Sequence, residues 1–191
     1  MLRKIRYDAW QNIDAQEREG VVYHRTEEAL EPGEAVRGRI DWEERFEKMQ
    51  QHTGEHIVSG LVHSRFGYNN VGFHLGSDYC TMDFDGPISA EELRKIEWEA
   101  NRAASLDLEV LVQYPSKEEL EHMEYRSKIE IEGQVRIVSV PGYDVCACCA
   151  PHVKRTGEIG MIKLVNRMNI CSSRLIRKTM ESLSIVIIPG T

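Results

Sequence analysis

Two short segments carry the side chains best suited to chemistry. His52-Thr-Gly-Glu-His56 and Cys148-Cys-Ala-Pro-His152 each set two metal-capable groups four residues apart. On a helix, positions i and i+4 share one face, one turn apart, so such a pair can grip a single ion. One His-x-x-x-His pair says little. A second pair containing a thiol brings the total to three imidazoles and one thiolate, a standard donor set for zinc. The histidines must bind neutral and the cysteine as thiolate, so binding depends on pH. Three protein ligands plus water would activate that water or polarise a carbonyl. Four protein ligands would make a closed, structural site. Spacing leaves both open. Cys146 and Cys149 form a competing Cys-x-x-Cys pair that could replace Cys148 or serve in redox chemistry.

The elements that must position these residues follow from local patterning. Asp41-Trp-Glu-Glu44 reads as a capping box opening a helix that runs to about Phe66. Phe46, Met49, Thr53, His56, Ile57, Gly60, Leu61 and Ser64 recur at three- and four-residue spacing and predict its inner face, with His52 one turn before His56. Ahead of it, Val21–His24 and Ala35–Ile40 read as strands around the turn Glu31-Pro-Gly-Glu34. After it, 71–76 and 79–84 form a hairpin turned at Gly76-Ser-Asp78. Cys80, Met82 and Phe84 alternate with Thr81 and Asp83, the period of a half-exposed strand. Ser89-x-x-Glu92 and Ser116-x-x-Glu119 open helices near 90–105 and 117–124, with a strand over 108–114 between them. The segments 134–140 and 159–165 read as further strands. Pro151 suits the first turn of a helix, which places Cys148 on a loop and His152 at a helix start, ended by Thr156-Gly157.

Hairpins mixed with helices, rather than strictly alternating strands and helices, predict an α+β fold with a largely antiparallel sheet, preceded by a partial small β-barrel region. The expected division is 1–40 for the partial N-terminal β region and 41–191 for the domain bearing the metal-capable residues. A chain of 191 residues, 41% hydrophobic and 29% charged, is ordinary for a soluble globular protein. No apolar run approaches the ~20 residues of a membrane span, and the first residues lack the apolar core of a signal peptide. Five cysteines, three of them at 146, 148 and 149, fit a reduced, cytoplasmic setting better than a disulfide framework. The net charge of −7 argues against broad electrostatic binding of nucleic acid, though not against a local basic patch.

The first segment also reads His-x-x-Glu-His, the signature of inverted zinc peptidases, in which Glu55 would act on metal-bound water. A wider set of residues carries a different resemblance. Gln51-His-Thr-Gly-Glu-His-Ile57, then Cys148-Cys-Ala-Pro-His-Val-Lys-Arg-Thr-Gly-Glu-Ile-Gly160, resembles the editing domain of alanyl-tRNA synthetases and the freestanding alanyl-tRNA editing proteins. Gly38–Arg45, Gly72–Gly76 and Met82–Asp85 add to the likeness, which covers roughly residues 20–165. The editing domain of threonyl-tRNA synthetases shares the same two-pair layout. The resemblance implies a zinc-dependent hydrolase that removes serine or glycine wrongly attached to alanine tRNA, with tRNA as its partner. It implies His52, His56, Cys148 and His152 as zinc ligands. His74, where relatives often carry glutamine, and Thr81 are candidates for sensing a serine hydroxyl, because a polar wall rejects analogues that lack its bonding partner. Lys154 and Arg155, with Arg174, Arg177 and Lys178, are candidates for contacting tRNA phosphate.

Three departures from the family pattern stand out. No Gly-Gly-Gln motif precedes Ile40, so the front of the barrel is expected to be missing. Asn166–Arg174 does not match the family's Gly-Gly-Xaa-Arg strand, and the charge is unusually negative for a tRNA binder. These departures keep a second reading open, a non-catalytic, zinc-stabilised module that binds tRNA or protein.

Overall fold

The computed structural model describes residues 5–7, 12–26, 31, 33, 35, 37–76, 79–127, 133–171 and 179–188. It divides into two compact units, Met1–Lys48 and Met49–Thr191.

In the first unit, β1 (Ile5–Tyr7) pairs with β4 (Gly38–Ile40), and β2 (Asn12–Arg18) pairs with β3 (Val21–Thr26), all antiparallel. Glu19 and Gly20, both at positive φ, turn β2 into β3. Among the described residues these strands form two separate two-stranded ribbons, where the sequence suggests part of a barrel.

α1 (Trp42–Phe66) begins in the first unit and continues through the second. The Asp41 carboxylate accepts the Glu44 N–H at 3.3 Å, satisfying one of the free amides at the helix start. The expected single inner face is too narrow a description. Every residue from Met49 to Gly60 is buried, and Ser64, assigned to that face, is exposed. Gly60 lets the Tyr143–Asp144 segment approach closely, and several of the buried polar side chains find partners. Gln50 Nε2, for instance, donates to the Glu158 carbonyl at 2.7 Å.

The remaining elements of the second unit form two sheets and two helices. β5 (Asn70–Leu75), β6 (Cys80–Phe84), β10 (Met161–Cys171) and β11 (Thr179–Ile188) form an antiparallel sheet in the order β10-β11-β6-β5. Cys80, Met82 and Phe84 are fully buried while Thr81 and Asp83 are half-buried, the alternation the sequence predicts. A second antiparallel sheet consists of β7 (Leu111–Gln113), β8 (Ile137–Val140) and β9 (Asp144–Ala147). α2 (Ala90–Ser105) and α3 (Lys117–Glu121) each open with a complete capping box, at Ser89/Glu92 and Ser116/Glu119. α3 ends short of residue 124. The α+β expectation holds, with every strand pair antiparallel.

Four strands, β1, β2, β9 and β11, are not among those read from the sequence pattern. His152 also differs from expectation: it lies in an extended loop, and the only helical turn nearby is a short 3-10 turn at Thr156–Ile159. Tertiary partners decide this. The Val153 N–H donates to Thr53 Oγ1 at 3.2 Å, and the Lys154 and Arg155 N–H groups donate to the Glu158 carboxylate at 2.7 and 3.0 Å. The amides a helix would use are already satisfied.

Candidate metal centre

His52 and His56 lie one turn apart on the buried stretch of α1, and their rings meet edge-on with centroids 4.9 Å apart. The loop after β9 brings Cys148 and His152 to them. Arg136 holds that loop: its Nη1 donates to the carbonyls of Cys148 at 2.6 Å and Ala150 at 3.0 Å, and its own carbonyl accepts the Cys148 N–H at 3.0 Å. The His152 ring then stacks on His52 at 4.1 Å and meets His56 edge-on at 4.5 Å. One ligand atom from each of the four residues falls within 4.8 Å of the others, a cluster that could hold a metal ion.

The hydrogen bonds behind the rings fix which nitrogen faces the cluster. His52 Nδ1 is 3.2 Å from the Pro151 carbonyl, and His56 Nδ1 is 2.9 Å from Asp144 Oδ2. His152 Nδ1 is 3.2 Å from Thr53 Oγ1, whose own proton goes to the Met49 carbonyl at 2.8 Å. All three partners act as acceptors here, so each Nδ1 carries the proton and each Nε2 presents a lone pair when the ring is neutral. His52 Nε2 lies 3.6 Å from Cys148 Sγ. His152 Nε2 is buried with no hydrogen-bond partner among the described residues. Leaving a buried polar atom unpaired is costly, and a ligand atom awaiting an ion is one of the few situations that explains it.

Charge reinforces the arrangement. Burial works to raise the Cys148 pKa, but the imidazoles of His152, His52 and His56 gathered around the sulfur outweigh it and bring the thiol down to about 3. Burial also lowers His152, to about 4, so that ring is neutral near pH 7. For His56 the burial effect is overcome by the Asp144 bond, by Cys148 and by the negative charge of Glu55, which raise it to about 9. Asp144 is buried, yet its bonds to His56 and Arg126 hold its pKa below the ordinary carboxylate value. The Arg126 fork reaches it with Nε at 2.7 Å and Nη2 at 2.9 Å.

Of the other residues singled out from sequence, Glu55 joins the cluster. It is 1% exposed, its Oε1 accepts from Ser59 Oγ and Asn70 Nδ2 at 2.7 Å each, and its Oε2 is 3.9 Å from His56 Nε2. His74 and Thr81 do not. They face each other across β5 and β6, but Phe73 is the β5 residue that stacks on His52, at 5.7 Å. Successive strand residues point to opposite faces, so His74 and Thr81 lie on the face turned away from His52. Lys154 and Arg155 are exposed, and Arg155 is engaged by the Asp107 carboxylate at 2.7 Å. Arg174, Arg177 and Lys178 lie outside the described residues. Cys146 is buried, and burial foremost pushes its thiol up to about 12, whereas its partner in the Cys-x-x-Cys pair, Cys149, is exposed.

Asp144, Arg126, Thr53, Arg136 and Asn70 are the contributors that sequence reasoning missed as site residues. They sit at no diagnostic spacing from the histidines. Only the general rule that a metal-binding histidine donates its second N–H to an acceptor foretells that some such residues exist.

Residues 135–178 match the family model described as the threonyl and alanyl tRNA synthetase second additional domain. Over 157 residues the chain is 31% identical to the alanyl-tRNA editing protein AlaX-L of Pyrococcus horikoshii, covering 80% of this chain and 39% of that protein. It is 32% identical over 146 residues to the alanyl-tRNA editing protein Aarsd1 of Rattus norvegicus, covering 74% and 35%. It is 38% identical over 162 residues to an alanine–tRNA ligase of Halobacterium salinarum, covering 81% and 17%. The chain thus spans well under half the length of each of these relatives. Through these matches, with both motif segments converging on one cluster, the chain is similar over most of its length to alanyl-tRNA editing proteins and to an alanine–tRNA ligase.

Proposed function

We propose that this chain hydrolyses the ester joining a wrongly attached serine or glycine to alanine tRNA, with zinc held by His52, His56, Cys148 and His152. The observation that carries the reading is the set of three Nδ1 hydrogen bonds, which orient three Nε2 atoms toward the Cys148 thiolate. Zinc fits this set. With Zn–S near 2.3 Å and Zn–N near 2.0 Å, tetrahedral ligands stand about 3.5 Å apart, close to the observed Sγ–Nε2 separation of 3.6 Å. With a coordination position open beside these ligands, by release of one of the four or expansion to a fifth, zinc would supply a Lewis acid for the ester carbonyl or its attacking water.

The chain's own residues do the rest. Asp144, clamped by Arg126, keeps the His56 proton on Nδ1. Glu55, steadied at Oε1 by Ser59 and Asn70, has Oε2 beside the cluster, placed to take a proton from water as its oxygen attacks the ester carbonyl. That proton passes to the ribose oxygen as the carbon–oxygen bond breaks, releasing the amino acid and a free hydroxyl. Lys154, two residues beyond His152, and Arg155, on exchanging its Asp107 partner for phosphate, would contact the acceptor end.

The test pairs elemental analysis with deacylation of Ser- and Gly-charged alanine tRNA. We expect about one zinc per chain, lost or weakened in Cys148→Ala, and turnover that falls in Cys148→Ala and Glu55→Gln. Stoichiometric zinc without turnover on either substrate would overturn the hydrolase reading in favour of a metal-stabilised binding module.

A further inference from the structure

We propose that the exposed face of α2 centred on Trp98 is a landing surface for tRNA, with an unpaired base stacking on the indole and Arg94 and Arg102 holding the neighbouring phosphates; this rests on the tRNA-editing reading above. Trp98 is 65% exposed, the most exposed of the large hydrophobic side chains described. The fold does not need it: α2 packs through Leu93, Ile96, Ala100, Ala103 and Ala104 on its other side.

Arg94 and Arg102 stand one turn before and one turn after Trp98 on the same face, about 12 Å apart at 1.5 Å per residue. Their neighbours are already neutralised. Lys95 pairs with Glu91 and Arg65 pairs with Glu99, each at 2.7 Å. Among the described residues neither Arg94 nor Arg102 forms an ion pair, so two cations remain on either side of an exposed ring. Beside the indole is an open hollow of about 330 Å³ lined by Arg65, Glu91, Arg94, Lys95, Trp98 and Glu99.

An aromatic face bracketed by guanidinium groups matches the two chemistries of a nucleotide, a flat base and an anionic backbone. In a chain of net charge −7, two arginines outside ion pairs beside an exposed ring are where a polyanion would approach. A second copy of this chain fits less well. Two-fold contact through Trp98 would bring the unpaired arginines of one copy against those of the other.

The experiment measures binding of an alanine-tRNA transcript to the full, zinc-loaded chain by fluorescence anisotropy at several salt concentrations. Trp98→Ala should loosen binding about tenfold while Trp98→Phe keeps most of the affinity, because every aromatic face can stack a base. Arg94→Ala/Arg102→Ala should weaken binding and reduce the salt slope by about two, the signature of two lost phosphate contacts. Tyr114→Ala, which removes an aromatic of similar exposure on another surface, should leave affinity unchanged. Wild-type affinity in both the Trp98→Ala and the double-arginine variants would overturn this surface alone, with deacylation by the parent chain showing that the functional reading stands. A parent that neither binds nor deacylates tRNA would sink both. Loss of self-association in Trp98→Ala, with tRNA affinity intact, would identify the face as a contact between copies and overturn the proposal.

Discussion

His56 and Asp144 are joined by a 2.9 Å hydrogen bond between Nδ1 and Oδ2, although 88 residues separate them. α1 supplies the imidazole and β9 the carboxylate. The bond sets the tautomer of a candidate metal ligand, and the Arg126 fork keeps the carboxylate charged. Replacing the carboxylate by an amide removes both effects. Asp144→Asn should therefore weaken zinc affinity about 10- to 100-fold, the usual consequence of losing a partner behind a metal-binding histidine. It should also cost about 3 kcal/mol of stability, because Arg126 is left with an uncompensated, mostly buried charge. Chelator competition and urea denaturation read the two effects separately. Unchanged zinc affinity would remove Asp144 from the metal centre.

Metal binding and the His56 proton compete. The raised pKa of His56, about 9, means that near neutral pH the metal-free ring carries a proton it must lose to ligate. Zinc affinity should rise about tenfold per pH unit from neutrality and level off near pH 9, with about one proton released per ion bound. Calorimetry in buffers of different ionisation enthalpy counts that proton. Stability of the metal-free chain should move the other way. A raised folded-state pKa stabilises fully below the ordinary value of 6.5 and loses that contribution as pH climbs through about 9. Asp144 has the opposite sign: its contribution is present above 3.8 and is lost as pH falls through its lowered folded value.

Gly60 permits the His56–Asp144 bond. It lies one turn after His56, and a Cβ there would collide with the Tyr143 carbonyl and stand 2.8 Å from Asp144 Cβ. In an ordinary helix Gly→Ala stabilises by up to about 1 kcal/mol. Here Gly60→Ala should instead destabilise by about 1–3 kcal/mol, the range for overpacking, and weaken zinc binding by displacing Asp144. Thermal melting with and without zinc distinguishes the outcomes. A rise in melting temperature would mean that this approach has more room than the structure shows.

The described thiols should separate by reactivity. Cys149 is exposed and should alkylate rapidly. Cys148 is held as a thiolate and should react in the metal-free chain but be protected by zinc. Cys80 and Cys146 are buried, with desolvation foremost pushing each up to about 12, and should stay unmodified until the chain unfolds. Mass spectrometry after brief iodoacetamide treatment assigns each site. Equal alkylation of Cys148 with and without zinc would argue against it as a ligand.

Residue type and short-range spacing were enough to pick out His52, His56, Cys148 and His152, to frame α1, to place the capping boxes of α2 and α3, and to indicate an α+β fold. Those features are written in contiguous residues: a four-residue interval, a cap followed by a hydrophobic period, an alternation along a strand. The Asp144 carboxylate, the Thr53 hydroxyl, the Pro151 carbonyl and the Arg136 clamp left no such trace, because each acts on a residue far away along the chain. The same holds for the extended loop at His152, where amides bonded to Thr53 and Glu158 replaced the expected helix start. It holds as well for the orientation of β5, where pairing with β6 put Phe73 rather than His74 toward His52. Local sequence limits which side chains can reach a metal, whereas the packing of distant segments around a buried helix fixes which nitrogen, which tautomer and which strand face they present.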